Sequence, residues 1–562
     1  MAKADYTIRK LVNMVEQGEL RLPEMQRNYV WRATRVRDLF DSLYRGYPSG
    51  VILAWESDEV VATRNFAVEA DTSSGIRPLL LLDGQQRLTS LSAVLRGEPV
   101  TVKGNKRPVE ILFNLDHPDE LTYVTDVHED SDEDFQPDDE TEMDIQDRFK
   151  RMTFVVASGA LKSLPNWVSV SDIFAKQDSE LLKSAGLSGW DDSRYEKYAS
   201  RLKAVRAIAE YQYRMDILER TKSYEEVTEI FVRVNSLGAK LKSSDLALAQ
   251  ITAKWRGSLE LFRSYQDQVA KRGFDLDLGV FLRALVSTVT NQSRFLTVNT
   301  IKLEDLEKGW KRTMLAFDFA INFVVSNLDI DIPALLSSPM FLNATAYWAH
   351  SLDFKITTDE AAAFRKWFLI ANAKGRYSRG STETLLDQDM ATIRDGGSSA
   401  DLMQRLVQQM GRLDFTPDDL IGRNSRSGAF KTMFLAFQQN DARDWKTNLK
   451  ISVKHAGKAD SIEYHHIFPK AYLKRAQPHL AHPQIDDIAN LAFIGADTNK
   501  KITDRAPADY RRDFAPEVLA AQLVYFEGGL DQADAFDAFI SKRREAIAAG
   551  LNAFFGLVPS ES

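Results

Sequence analysis

The sequence predicts an α+β protein, and three observations predict it. Short apolar runs rich in Val, Ile and Leu alternate with helical patterns over residues 1–125. From about Tyr195 to about Leu413, apolar residues recur mainly at helical spacing. Near the C-terminus a strand–loop–strand–helix order appears, a ββα unit. On this reading residues 1–255 form an α/β N-terminal domain, 256–415 a helical linker region and 416–562 a C-terminal ββα domain. The length of 562 residues suits such a division, at roughly 100–200 residues per domain.

In the first part, VILAW (Val51–Trp55), PLLLLD (Pro78–Asp83) and VEILFNL (Val109–Leu115) read as strands. Tyr6–Glu16, Ala33–Tyr44 and Gln86–Leu95 read as helices. Further on, Arg201–Arg214, Tyr224–Val234 and Ser243–Lys254 are expected helices, the last capped by Ser243 or Asp245. FTPDDLIGRNSRSG (Phe415–Gly428) is rich in Pro, Gly, Ser and Asn and is expected to mark a boundary. Ser461–Ile467 can form a strand that Pro469 ends, and Lys470–Arg475 a loop or short helix. LAFIG (Leu491–Gly495) is a second strand. A helix follows, with Asp497 or Thr498 suited to cap it. Pro516–Leu551 is a terminal helical region.

Composition narrows the function classes. With no cysteine, disulfides, Cys-ligated zinc, iron–sulfur clusters and a thiol nucleophile are excluded. The N-terminal residues lack the apolar core of a signal peptide. The most apolar stretch, Met314–Leu328, is interrupted by Asp318 and Asn322 and is too short and polar to span a bilayer. A soluble, cytoplasmic protein with no membrane partner is expected. The net charge is −8, yet Asp126–Asp144 alone holds 11 Asp or Glu in 19 residues. Outside that run the chain is slightly basic, and it is local charge that governs phosphate binding. The run reads as a solvated loop.

The densest chemistry lies in EYHHIFPK (Glu463–Lys470), Asn490–Leu491 and Asn499. Hydrolysis of a phosphodiester needs an activated water and a cation to stabilise charge on the phosphate and the leaving oxygen. Histidine can serve as base near neutrality. A hard cation prefers oxygen and tolerates imidazole. His-His-Ile-x-Pro, then Asn-Leu, then Asn nine residues on resembles the motif set of HNH nucleases. That resemblance makes His466 the general base, His465 and Asn499 metal ligands, and Asn490 the residue that orients the base-bearing loop. It implies Mg²⁺ or Mn²⁺ as cofactor. The sequence departs from the usual pattern twice, with His where Asp is common first and Asn where His is common last. Glu463, sharing a strand face with His465, is a candidate accessory ligand. His479 and His482 are expected to be surface residues. Lys470, Lys500 and Lys501 flank these blocks and are the expected DNA contacts.

In LLLLDGQQRLTSL (Leu79–Leu91), a tight turn at Gly84 leads into a helix whose N-terminal N–H groups favour an anion. Arg87 could clamp a phosphate. With LPEMQRNYVWR (Leu22–Arg32) and FVRVNSLGAKLKSSDL (Phe231–Leu246), this turn resembles the signature set of the GmrS-like domain, a ParB/sulfiredoxin-related fold. GRYSRGSTETLL (Gly375–Leu386) is similar to the middle region of the same proteins. The whole arrangement resembles the GmrSD family of type IV, modification-dependent restriction enzymes, to which SspE and BrxU are related. The resemblance implies that Asp83, Gly84, Gln85, Gln86 and Arg87, with Gln26, Arg27, Arg233 and Asn235, bind a nucleoside triphosphate (GTP, ATP or other). Tyr29 and Trp31 are candidates to stack on a flipped base, or to hold the fold. No G-x-x-x-x-G-K-[ST] loop occurs. The expected function is nucleotide-regulated, modification-dependent DNA cleavage in antiphage defence, with NTPase activity. The expected partner is modified phage DNA, and a homodimer is compatible with the chain. Two alternatives stay open: a phosphorothioate-sensing nickase of SspE type, and a ParB-like binding switch whose degenerate HNH unit only grips DNA.

Overall fold

Apolar residues on both faces of a strand call for a layer on each side, and the central strands of the N-terminal half have them. The computed structural model describes residues 2–23, 31–57, 63–64, 78–97, 110–119, 149–187, 189–237, 242–453 and 462–557. These fall into two units, residues 1–259 and 260–562.

The first unit is built on a six-stranded sheet. Its strands are β1 (Ala2–Thr7), β2 (Leu20–Pro23), β3 (Ile52–Trp55), β4 (Thr63–Arg64), β5 (Leu79–Asp83) and β9 (Gln212–Leu218), in the order β1-β9-β3-β5-β2-β4. β3 pairs parallel with β9 and antiparallel with β5. Alternation along each strand divides the core. Ile52, Ala54, Leu81, Tyr213 and Met215 pack with the helices Ile8–Glu16, Ala33–Tyr44 and Gln85–Arg96. Trp55, Leu80, Leu82 and Leu218 pack with Tyr224, Val227, Phe231 and Ala249 from the helices Tyr224–Leu237 and Ser243–Lys254. A second sheet places β6 (Ile111–Asn114) between β7 (Phe154–Val156) and β8 (Trp167–Ser169).

The second unit is mostly helical. Its longest helix spans Leu303–Leu328. Thr358–Lys374 starts at a capping box between Thr357 and Glu360. Beside it Arg376 and Asp389, both buried, form a bidentate pair at 2.5 and 2.6 Å that Tyr377 joins at 2.7 Å. The helix Gly428–Gln439 approaches so closely that a Cβ on Gly428 would overlap the carbonyl oxygen of Asn372. Its phenylalanines Phe430, Phe434 and Phe437 pack on Phe493 of β11 (Leu491–Gly495). β11 pairs antiparallel with β10 (Ile462–His466), and the helix Ala496–Ile502 follows directly. The terminal helix is Phe536–Phe555.

Several expected elements differ. Tyr6 lies in β1, not in the first helix, because β1 pairs with β9. The helix expected over Arg201–Arg214 ends at Ala207, and β9 takes up Gln212–Arg214. Lys242, not Ser243 or Asp245, is the N-cap of its helix, with no side-chain cap. Gly495 caps Ala496–Ile502, and Thr498 turns its hydroxyl to Asp444 instead. Residues 415–428 lie inside the second unit, where Pro417–Leu420 is a short 3-10 helix and Phe415 exchanges backbone bonds with the Asn552 side chain. The acidic run 126–144 lies outside the described residues.

Candidate active site

The antiparallel register sets His465 opposite Ala492 and His466 opposite Leu491. Successive residues of a strand face opposite ways, and the two histidines differ accordingly. His465 is buried, edge-on to Trp445 and Tyr510 at ring distances of 6.0 Å each. Its Nδ1–H donates to Asn499 Oδ1 at 2.7 Å, joining β10 to the helix Ala496–Ile502. Nε2 is buried with no hydrogen-bond partner. Burial pulls the His465 imidazole down to about 4, with the Asn499 contact opposing. The ring is therefore neutral near pH 7, the form that can bind a cation.

His466 faces the other way, partly exposed. Its Nε2 lies 2.8 Å from Asp486 Oδ1, and Lys470 Nζ reaches the same oxygen at 2.8 Å. Burial pushes the Asp486 carboxyl up, but the His466 and Lys470 contacts outweigh it and leave it at about 2. Asn490, fully buried, ties down the turn after His466. Its Oδ1 accepts from Phe468 N at 2.8 Å, and its Nδ2 donates to Phe468 O at 3.1 Å and Ile485 O at 2.9 Å. Its backbone oxygen accepts from Ile467 N at 2.7 Å. Tyr510 Oη donates to Ile467 O at 2.6 Å.

A wider shell holds these elements in place. Asp444 Oδ2 accepts from Gly495 N, and its Oδ1 accepts from the Thr498 hydroxyl and from Thr447. Arg543 is buried in the terminal helix. Its Nη1 donates to Ala489 O at 2.7 Å and Leu491 O at 2.8 Å, on either side of Asn490. Arg544 pairs at 2.6 Å with Asp487, whose Oδ1 caps Ala489 N. Sequence reasoning singled out none of Asp444, Asp486 or Arg543. Two left a signal: Asp486–Asp487 directly precedes the Ile-Ala-Asn-Leu block, and Arg543 falls on the apolar stripe Phe536, Phe539, Ile540, Ile547.

For a divalent cation the donors brought together are the His465 imidazole and Asn499 Oδ1, one nitrogen and one neutral oxygen; Nδ1 would face the cation only in the Nε2–H tautomer, with its hydrogen bond to Asn499 given up. Among the described residues no group of three or more His, Asp or Glu could hold a metal. The pair fits a cation that takes its remaining ligands from phosphate oxygens and water, as Mg²⁺ does, and does not fit a closed protein cage. The Glu463 side chain lies outside the described residues. Lys500 and Lys501 are exposed on the same short helix as Asn499, and His479 and His482 are exposed.

The N-terminal residues come together in part. Gly84, with φ +99°, makes the turn from β5 into the helix Gln85–Arg96, a conformation that favours glycine. Arg87 donates from Nη1 to Ser49 O at 2.5 Å and from Nη2 to Val51 O at 2.8 Å and Asp83 Oδ2 at 3.3 Å. Its guanidinium thus holds the loop before β3, against the expectation of a free phosphate clamp. Gln85 and Gln86 are buried, and Gln86 Oε1 accepts from Trp31 N at 3.1 Å. Trp31 packs against the core of the first unit. Arg233 is exposed and ion-paired with Glu229. Its helix packs on β5 through Phe231, beside Leu80 and Leu82. Gln26, Arg27, Tyr29 and the Asn235 side chain lie outside the described residues.

Comparison with known proteins finds a family match within the first unit. Residues 8–252 match the family model described as GmrSD restriction endonuclease, N-terminal domain, and this supports the GmrSD-like restriction endonuclease family. The chain is also similar to Uncharacterized protein MJ0686 of Methanocaldococcus jannaschii. The two are 24% identical over 549 residues, covering 90% of this chain and 86% of the relative. No helix among the described residues is long and apolar enough to cross a membrane.

Proposed function

We propose that this chain is a restriction-type DNA endonuclease of antiphage defence whose cutting centre is the β10–β11 hairpin and the helix Ala496–Ile502. The observation that carries the reading is the pairing of His465 with Asn499 at 2.7 Å beside His466, whose following turn is bonded three times to Asn490. The family match over residues 8–252 supports a nuclease acting on DNA.

In this reading His466 Nδ1 takes the proton of the attacking water. His465 and Asn499 hold a divalent cation that would neutralise charge developing on the phosphate and leaving oxygen. Asn490 keeps the base-bearing turn rigid, which matters because small displacements of a base cost much of its effect. Lys500 and Lys501 contact the DNA backbone. In the first unit, the Gly84 turn with Asp83, Gln85 and Gln86 takes a nucleoside triphosphate, and Arg87 keeps the Ser49–Val51 loop in shape for it. Nucleotide and DNA modification together regulate cleavage.

The test is plasmid cleavage with Mg²⁺ or Mn²⁺ by the full chain and by His466→Ala. The variant should lose at least about 10²-fold in cutting rate while its thermal unfolding stays unchanged. Wild-type cutting by the variant would refute the assignment. Cutting by neither protein would favour a DNA-gripping module instead.

A further inference from the structure

We propose that Asp486 is a positioning residue for His466, selecting Nδ1 as the nitrogen that acts. The inference rests on the reading of His466 as a base. Asp486 Oδ1 lies 2.8 Å from His466 Nε2. A carboxylate oxygen accepts only, so Nε2 carries a hydrogen and, in the neutral ring, Nδ1 keeps its lone pair. Among the described residues no group bonds Nδ1. The His466 side chain is 15% exposed, so the ring is clamped at one nitrogen and open to water at the other.

Asp486 is itself held from three sides. Lys470 Nζ bonds the same carboxylate oxygen at 2.8 Å. Asp486 N donates to His482 O at 2.9 Å. The preceding carbonyl, Ile485 O, accepts from Asn490 Nδ2. One turn therefore carries the partner of the base and is bonded by the residue that rigidifies the base's own strand end. Two freedoms of an imidazole are removed: which nitrogen is protonated, and which way the ring is turned. Lys470, from this geometry, keeps Asp486 in place.

The experiment combines cleavage kinetics with nitrogen NMR of ¹⁵N-histidine-labelled full chain, His466 being assigned by its loss in His466→Gln. In the wild type His466 should show the Nε2–H tautomer alone. In Asp486→Ala it should show exchange between tautomers or a changed Nε2 shift. Asp486→Ala should lower kcat about 10- to 100-fold, part of the ~10²–10⁴ a positioned base supplies, with KM for DNA within about twofold. Asp486→Asn, which keeps an acceptor oxygen, should recover part of that loss at an equal melting temperature. An Nδ1–H tautomer in the wild type, or a His466 spectrum unmoved by Asp486→Ala, would overturn the proposal. So would kcat losses that follow the melting temperature in both variants. The NMR result stands whether or not His466→Ala abolishes cleavage, so failure of the base assignment and failure of the positioning claim are read separately.

Discussion

His465 and His466 are adjacent and chemically identical, and the strand sends them into opposite surroundings. His465 is 3% exposed and its imidazole is pulled down to about 4 by burial, against about 6.5 in an unfolded chain. Between these values the unfolded state binds more protons than the folded one. The contribution of this group is therefore fully present above pH 6.5 and is lost as pH falls toward 4. The full difference is worth about 3 kcal/mol. With metal chelated, the melting temperature should fall across pH 6.5 to 4, and His465→Gln should flatten that part of the curve. An equally steep curve in the variant would assign the dependence to other groups. The motif identified both histidines in the sequence. Their difference in burial was not legible there, because it depends on Trp445 and Tyr510, which come from other segments.

At the scale of elements, the hairpin and its helix depend on one buried carboxylate. Asp444 accepts from Gly495 N at 2.7 Å, Thr498 Oγ1 at 2.8 Å and Thr447 N at 2.7 Å. Burial raises its carboxyl, but the bonds it accepts hold it below the usual range. Asp444→Ala would leave a buried N–H and a buried hydroxyl without acceptors, at about 1–3 kcal/mol each. Unfolding in urea should show a loss of at least about 2 kcal/mol, with cleavage falling too because Asn499 sits on the displaced helix. Full stability in the variant would mean that water replaces the carboxylate. β10 and β11 were readable within a residue or so, because their apolar runs are bounded by Pro469 and by the Gly495 turn. β9 was not, because QYRMDIL follows a helical stretch without a breaker and its partner β1 lies about 210 residues earlier in the chain.

At the scale of the whole molecule, the matched N-terminal unit and the hairpin of the second unit carry different parts of the proposed activity. Their coupling is tested by presenting one phage genome in unmodified, hydroxymethylated, glucosylated and phosphorothioated forms, with and without nucleoside triphosphates. Cutting should be confined to modified DNA and should respond to nucleotide. Cutting limited to the phosphorothioate form would identify an SspE-type trigger. Equal cutting of all forms would remove the modification dependence and leave the cleavage chemistry standing. Arg87→Ala should act here as well, by releasing the Ser49–Val51 loop, and is read as reduced nucleotide hydrolysis at unchanged cleavage of a permissive substrate.

The sequence by itself determined the α+β class, the order of the motif blocks and the strands that carry His465, His466 and the residues leading to Asn499. These are local properties, written in hydrophobic periodicity and in residues a few positions apart. Tertiary structure decided the rest: that Arg87 grips a loop, that Lys470 and Asp486 meet at His466, and that Arg543 holds both sides of Asn490. Such contacts join residues 16 to 54 positions apart. A charged side chain's partner is set by which surfaces the core brings together, and no periodicity records that.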